Sequence, residues 1–405
     1  MAKTLKGNCV LAQSGGPTAV INSSIAGAIK EAFRHPEIKK VYGAVNGILG
    51  VLNEEMIDLG KESTSTIELL RKTPSSALGS CRYKLKGDDY ERILKVLEAH
   101  NIRYFIMNGG NDSMDTADKV DKLAEERGYM LRVMGIPKTV DNDLAYTDHS
   151  PGYGSVARWL AIAVRDAGLD TAAIYTSDTV KVIETMGRNA GWITASTALA
   201  REHKDDPPNL IYLPEKPFNE EKFIADVDRI YKQTGRVVIT VCEGLRDEKG
   251  EYLTASSRRI DTDGFGHKQL GGVSDVLCSL IADNLNLKAR FDKPGTIQRV
   301  SILCASGVDL CEAYLAGKRA VRHAVRGESG KMITLERVRK KPYRCTTGLV
   351  ELEKVANAEK KVPDEYINEA GNDITEKFLE YAFPLIGGSL PRYARLKKLM
   401  VKKLL

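Results

Sequence analysis

The chain of 405 residues lacks most of the features that announce a function outright. Nothing fits the Walker A pattern G-x-x-x-x-G-K-[ST], and no full G-x-G-x-x-G follows a strand, which sets aside the usual P-loop and dinucleotide sites. The seven cysteines (Cys9, Cys81, Cys242, Cys278, Cys304, Cys311, Cys345) are scattered, odd in number and without a C-x-x-C pair. They indicate neither a disulfide frame nor a zinc site, but reduced, mostly buried thiols of a cytosolic protein. The six histidines form no H-x-x-x-H pattern. Aromatic residues are only 6%, and 60 basic against 54 acidic side chains leave a net charge of +6. Such a balance argues against a nucleic-acid surface while mildly favouring anionic small molecules. After the polar Met1–Asn8 the first apolar run is short, so neither a signal peptide nor a membrane span is expected. Repeats, heptads and low-complexity tracts are also missing.

What is present is a regular alternation. The apolar fraction of 42% supports sizeable cores, and the length suggests roughly two domains at about 150 residues each. Strands are expected at Cys9–Gln13, Val41–Val45, Tyr104–Met107 and Leu131–Ile136, with helices at Ala19–Phe33, Asp88–His100 and Ser113–Arg127. A second set follows: helices Ser155–Ala167, Trp192–Ala200 and Glu220–Gln233, and strands Val180–Thr185 and Val237–Cys242. Strand and helix alternating at this spacing predict an α/β fold of doubly wound, mainly parallel sheets. The first domain is cut near residue 150, with the chain returning to it after about 300. The proline-rich Asp206–Phe218 reads as a loop, and the basic, amphipathic Tyr393–Leu405 as a C-terminal helix lying on the fold, with a membrane-surface role as the alternative.

Four turns fall where parallel strands end, the rim at which open α/β sheets bind ligands. Ser14-Gly15-Gly16-Pro17-Thr18 lets an anion approach the backbone, although alone it says no more than any tight turn. Asn108-Gly109-Gly110-Asn111-Asp112-Ser113 joins a strand to a helix start and suits phosphate. Its own carboxylate, Asp112, must either hold a metal or repel something; a helix N-cap is the plainer alternative. Pro137-Lys138-Thr139-Val140-Asp141-Asn142-Asp143 concentrates a lysine and carboxylates on one loop. Glu184-Thr185-Met186-Gly187-Arg188 adds a planar guanidinium suited to phosphate.

Together with Leu78-Gly79-Ser80-Cys81-Arg82, Cys242-Glu243-Gly244 and Thr296-Ile297-Gln298-Arg299, these turns resemble the phosphofructokinase family in order and spacing between Gly15 and Arg299. The resemblance implies two Rossmann-like doubly wound domains. Residues 1–152 would bind the phosphoryl donor and be rejoined by about 300–350; residues 153–299 would bind sugar phosphate, with 351–405 as an extension. It also implies roles. Asp141 is the general base taking the proton of the sugar 1-hydroxyl. Thr139, Met186, Gly187, Arg188 and Glu243 hold the sugar, and Arg290, Thr296 and Arg299 belong to the 6-phosphate side. Gly15, Gly16 and Arg82 meet the transferring phosphoryl group. Mg²⁺ is the implied cofactor, near Asn111 and Asp112, and a homodimer or homotetramer is the implied assembly.

The phosphoryl donor is expected to be pyrophosphate. Asp112 stands where ATP-using members have glycine, so ATP would set anion against anion, at a cost on the order of several kcal/mol in a dry pocket. Lys138 supplies a cation for the departing phosphate. The expected reaction is therefore reversible, Mg-dependent phosphoryl transfer from pyrophosphate to fructose 6-phosphate. Alternatives are an ATP-dependent phosphofructokinase, a sedoheptulose-7-phosphate kinase, or a non-catalytic sugar-phosphate-binding subunit. The chain departs from the family at Asn111, usually aspartate, at Thr179, often arginine, and at Thr296, histidine in bacterial ATP enzymes. Ala26 and Lys30 replace effector-binding arginines of the first helix, so little nucleotide regulation is expected.

Overall fold

The computed structural model describes residues 5–254, 272–356, 358–397 and 399–404. Its strands are β1 (Gly7–Gln13), β2 (Ile38–Ala44), β3 (Met56–Asp58), β4 (Ile102–Gly109), β5 (Arg132–Pro137), β6 (Val180–Thr185), β7 (Leu210–Tyr212), β8 (Val237–Cys242), β9 (Ala289–Asp292), β10 (Lys331–Arg339) and β11 (Arg344–Glu351). One sheet runs β11-β10-β5-β4-β1-β2-β3, parallel except at its edges, where β3 and β11 pair antiparallel with their neighbours. The other runs β7-β8-β6-β9 and is parallel throughout. The expected doubly wound α/β architecture is borne out.

Both faces of the larger sheet are covered by helices, which is why its strands read as continuous apolar runs. Along β1, Val10 and Ala12 join Phe105, Met107 and Val133 beneath the helices Asp89–Ala99 and Asn111–Glu126. Cys9 and Leu11 point the other way. With Tyr104, Ile106 and Ile136 they meet the helices Ile21–Ala32 and Gly307–Val325. Those two helices approach backbone to backbone: a Cβ on Gly317 would lie 1.8 Å from Ser24 O. The smaller sheet buries Val182, Ile239 and Val241 against Phe223, Val227, Leu277 and Ile281. After β9 the chain returns to the larger sheet through Gly307–Val325, β10 and β11.

Four expectations need correction. The thiols are not mostly buried: Cys9 and Cys242 are, whereas Cys81, Cys278, Cys304 and Cys345 are half-buried and Cys311 is exposed. Asp206–Phe218 is not all loop, because Leu210–Tyr212 pairs with β8 as the sheet's edge strand. Trp192–Ala200 is one α turn, Trp192–Ala195, continued by a 3₁₀ stretch, Ser196–Ala200. The C-terminal segment is not helical among its described residues. Tyr393 and Arg395 anchor it to Asp166 and Asp206, and beyond them Leu396, Leu399, Met400, Val401 and Leu404 are exposed. A short amphipathic helix with no surface to cover is marginal in water.

Candidate active site

The carboxyl ends of β1, β4, β5, β6 and β8 converge on one cleft of about 280 Å³. Gly15 and Gly16 follow β1; Gly110, Asn111 and Asp112 follow β4; Lys138 to Asp141 and Asp143 follow β5. Across the cleft Met186 and Arg188 follow β6, Glu243 follows β8, and Arg299 comes from the short helix Ile297–Val300. Arg82 and Glu359 complete the part that concerns chemistry.

Arg82 reaches the cleft because buried amides pin its loop. Gln13 donates to Asn22 Oδ1 at 3.0 Å and accepts from Leu78 N at 3.0 Å, while Asn22 Oδ1 accepts from Ala77 N at 2.9 Å. Ser80 Oγ then donates to Gly15 O at 2.6 Å. The Gly15–Gly16 turn lies between two cations. A Cβ on Gly15 would stand 3.0 Å from Lys138 Nζ, and one on Gly16 2.8 Å from Arg299 Nη1. Backbone approach of this kind leaves room for an anion only where no side chain intervenes.

Titration is perturbed at the buried groups of the loop after β5 and at Glu243. Burial, then the Arg299 and Arg82 cations, draw Lys138 down to about 8 against the pull of Asp141. Burial and Glu243 push Asp141 up to about 6, opposed by Lys138, Arg188 and Arg299. Burial and Asp141 push Asp143 up to about 7. Burial also raises Glu243, although Gly187 N donates to it at 3.3 Å. Paired carboxylates shifted upward beside a lysine shifted downward are the signature of groups poised for proton transfer near neutrality.

The helix Asn111–Glu126 points its N-terminus at this cluster, so its first N–H groups face the cleft without helical partners. Its N-cap residue is Gly110, which corrects the capping alternative for Asp112. Asp112 is the second helical residue and is exposed at the rim. Its repulsion of an anion is therefore partly screened by water, and smaller than a dry pocket would give. Asn111 Oδ1 and Asp141 Oδ1 are buried oxygens with no hydrogen-bond partner among the described residues. Hard oxygen atoms left unsatisfied in a cleft suit Mg²⁺, which takes one or two protein oxygens beside phosphate.

A sequence profile of the family Phosphofructokinase matches residues 8–324. The chain belongs to the phosphofructokinase family. It is 45% identical to the pyrophosphate–fructose 6-phosphate 1-phosphotransferase of Xanthomonas campestris pv. campestris (strain B100), over 98% of each chain. The enzyme of the same name from Halomonas elongata is also 45% identical, covering 98% of this chain and 97% of that one. The crystal structure of the pyrophosphate-dependent phosphofructokinase from Marinobacter aquaeolei superposes with a TM-score of 0.86 at 42% identity, over 98% of both chains.

Not every residue expected from the phosphofructokinase motifs lines this cleft. Gly187 contributes backbone only, bonding Glu243 and Gly244. Arg290, on the edge strand β9, is exposed and pairs with Asp178 at 2.9 Å. Thr296 is exposed at the start of its short helix. Asp143, which the motif contains but to which the resemblance gives no role, also lines the cleft, as does Glu359 outside any motif, and Gln13 and Asn22 anchor its loops. The signal for Asp143 was its spacing two residues from Asp141. For Asn22 it was an amide on an otherwise apolar helix face.

Proposed function

We propose that this chain catalyses phosphoryl transfer from pyrophosphate to the 1-hydroxyl of fructose 6-phosphate, giving fructose 1,6-bisphosphate and phosphate. The observation that carries the reading is Lys138 with its ammonium beside the Gly15–Gly16 turn and within the field of Asp141. A base for the acceptor hydroxyl and a cation for the departing phosphate thus share one buried loop.

Asp141 takes the proton of the 1-hydroxyl as that oxygen bonds to phosphorus and the bridging P–O bond of pyrophosphate breaks. Transfer of this kind is mostly positioning and charge stabilisation. Lys138 neutralises charge on the departing phosphate, while Arg82 and the Gly15–Gly16 backbone meet the transferring phosphoryl group. Glu243 bonds sugar hydroxyls, Thr139, Met186 and Arg188 shape the sugar side, and Arg299 grips the 6-phosphate. Asn111, with Asp112 beside it, would hold Mg²⁺, which supplies neutralisation of the pyrophosphate charge. The larger sheet serves the phosphoryl donor and the smaller one the sugar phosphate. Arg290 lies outside its own cleft, so a part in gripping the 6-phosphate requires a second copy; a homodimer or homotetramer provides one. Pyrophosphate and the sugar phosphate ester are comparable donors, so the reaction runs both ways, in the cytoplasm and without nucleotide effectors.

The test is turnover of fructose 6-phosphate with Mg²⁺ and either pyrophosphate or ATP as sole phosphoryl donor. Turnover with pyrophosphate and little with ATP is expected. Efficient use of ATP alone would sink the donor assignment.

A further inference from the structure

The loop that carries Asp141 is held by residues far along the chain. Asn142, between the two cleft carboxylates, is fully buried and has φ +54°, a left-handed conformation that asparagine tolerates but that still needs support. The support comes from its side chain. Oδ1 accepts from Ser150 N at 3.0 Å, and Nδ2 donates to Tyr381 Oη at 2.9 Å. Tyr381 in turn donates to Asp148 O at 2.8 Å.

Lys360 closes the same loop through its backbone and its ammonium. Its backbone N donates to Asp143 O at 2.7 Å, next to an isolated bridge between Leu144 and Glu359. Its ammonium donates to Asp148 O at 2.9 Å and Thr147 O at 3.1 Å, with Asn142 Oδ1 at 3.5 Å. Trp192 Nε1 donates to Lys360 O at 2.9 Å and its ring lies under the ammonium. The lysine is thus fixed at its N–H, its carbonyl and its side chain. Both Lys360 and Tyr381 lie beyond residue 324, where the match to the family profile stops.

We propose that Lys360 and Tyr381 are positioning residues that fix the Asp141–Asp143 loop so that Asp141 faces the acceptor hydroxyl. The ammonium gathers backbone carbonyls of the segment 147–148 and the Asn142 amide around one point. Tyr381 locks the same amide from the other side. Neither lines the cleft, so each acts through the loop. A misplacement of about 1 Å at a reacting group costs up to roughly a hundredfold in rate, which makes such a clamp consequential. The proposal rests on Asp141 being the base.

Lys360→Met and Tyr381→Phe, each alone and each combined with Asp141→Ser, test it. Lys360→Met is expected to lower kcat with pyrophosphate by about tenfold to a hundredfold, and to change KM for fructose 6-phosphate by less than about threefold. In the Asp141→Ser background the same substitution should cost less than about twofold, because a residue acting through the base has nothing left to position. An unchanged kcat in a protein that melts cooperatively at the parent temperature overturns the proposal. So does an equal fold-loss with and without Asp141. Undiminished turnover by Asp141→Ser alone overturns the base assignment instead. Should Lys360→Met fail to fold, Tyr381→Phe, which deletes one hydroxyl, meets the same criteria.

Discussion

The ammonium of Lys138 donates to Gly16 O at 2.9 Å, tying the loop after β5 to the turn after β1. One buried cation therefore sets the spacing between the acceptor side of the cleft and the turn meant for the phosphoryl group. Lys138→Met removes the charge and keeps most of the volume. Losing one preorganised group of this type costs about 10²- to 10³-fold in kcat, and that is the expected loss, with KM for fructose 6-phosphate within several-fold. Steady-state kinetics at saturating pyrophosphate measure it. A kcat within about threefold of the parent enzyme would remove Lys138 from the transition state.

The shifted groups also fix the shape of the pH profile. The base must be deprotonated, so kcat/KM should rise through the range about 6 to 7 in which the buried Asp141–Asp143 pair titrates. The cation must stay protonated, so kcat/KM should fall as pH passes about 8, where Lys138 loses its proton. Initial rates at low substrate across pH 5 to 10 should give a bell. In Lys138→Arg any remaining activity should keep the acid limb and lose the alkaline one, since a guanidinium stays charged. An unchanged alkaline limb in that variant would assign it to another group.

Much of this was legible in sequence because it is local. An apolar run, a glycine turn and a helix start identify β4, its turn and the helix Asn111–Glu126 within a few residues. What was not legible depends on distant partners. Leu210–Tyr212 is a strand only because β8 supplies a ladder. Amphipathicity in the tail states which face would be buried, not whether a surface exists to bury it. Gln13 and Asn22 serve Arg82 through contacts to residues 73–78, which no local pattern encodes. Motif order placed Arg290 and Thr296 beside the substrate, whereas the backbone carries them outside the cleft of their own chain.

Donor choice is separable from stability at Asp112. Its side chain makes no capping bond, so Asp112→Gly gives up only the favourable charge near the helix N-terminus and some helix propensity, together about 1 kcal/mol. Because the residue is exposed, the repulsion it exerts on a third phosphate is moderate. The variant should melt within a few degrees of the parent, gain ATP-dependent turnover by about tenfold, and lose pyrophosphate turnover. Donor-swap assays and a thermal melt decide it. ATP turnover that stays at the parent level would assign donor selection to another part of the cleft.

Stability itself should be most sensitive where the larger sheet is closed by its helix pair. Ile21–Ala32 is almost wholly buried, Glu31 included, and its contact with Gly307–Val325 depends on the absence of a side chain at Gly317. A methyl group there would meet Ser24 O at 1.8 Å, and the obstacle is backbone rather than a mobile side-chain end. In an open helix Gly→Ala stabilises by about 1 kcal/mol. Here the helices must separate, and overpacking of this kind costs about 1–3 kcal/mol or more. Gly317→Ala should therefore unfold at lower urea than the parent with an unchanged m-value, the reverse of the propensity effect. The same substitution at Gly307, where a Cβ would meet nothing within 4 Å among the described residues, is the control. If both variants shift the midpoint alike, the close approach of the two helices is not what limits stability.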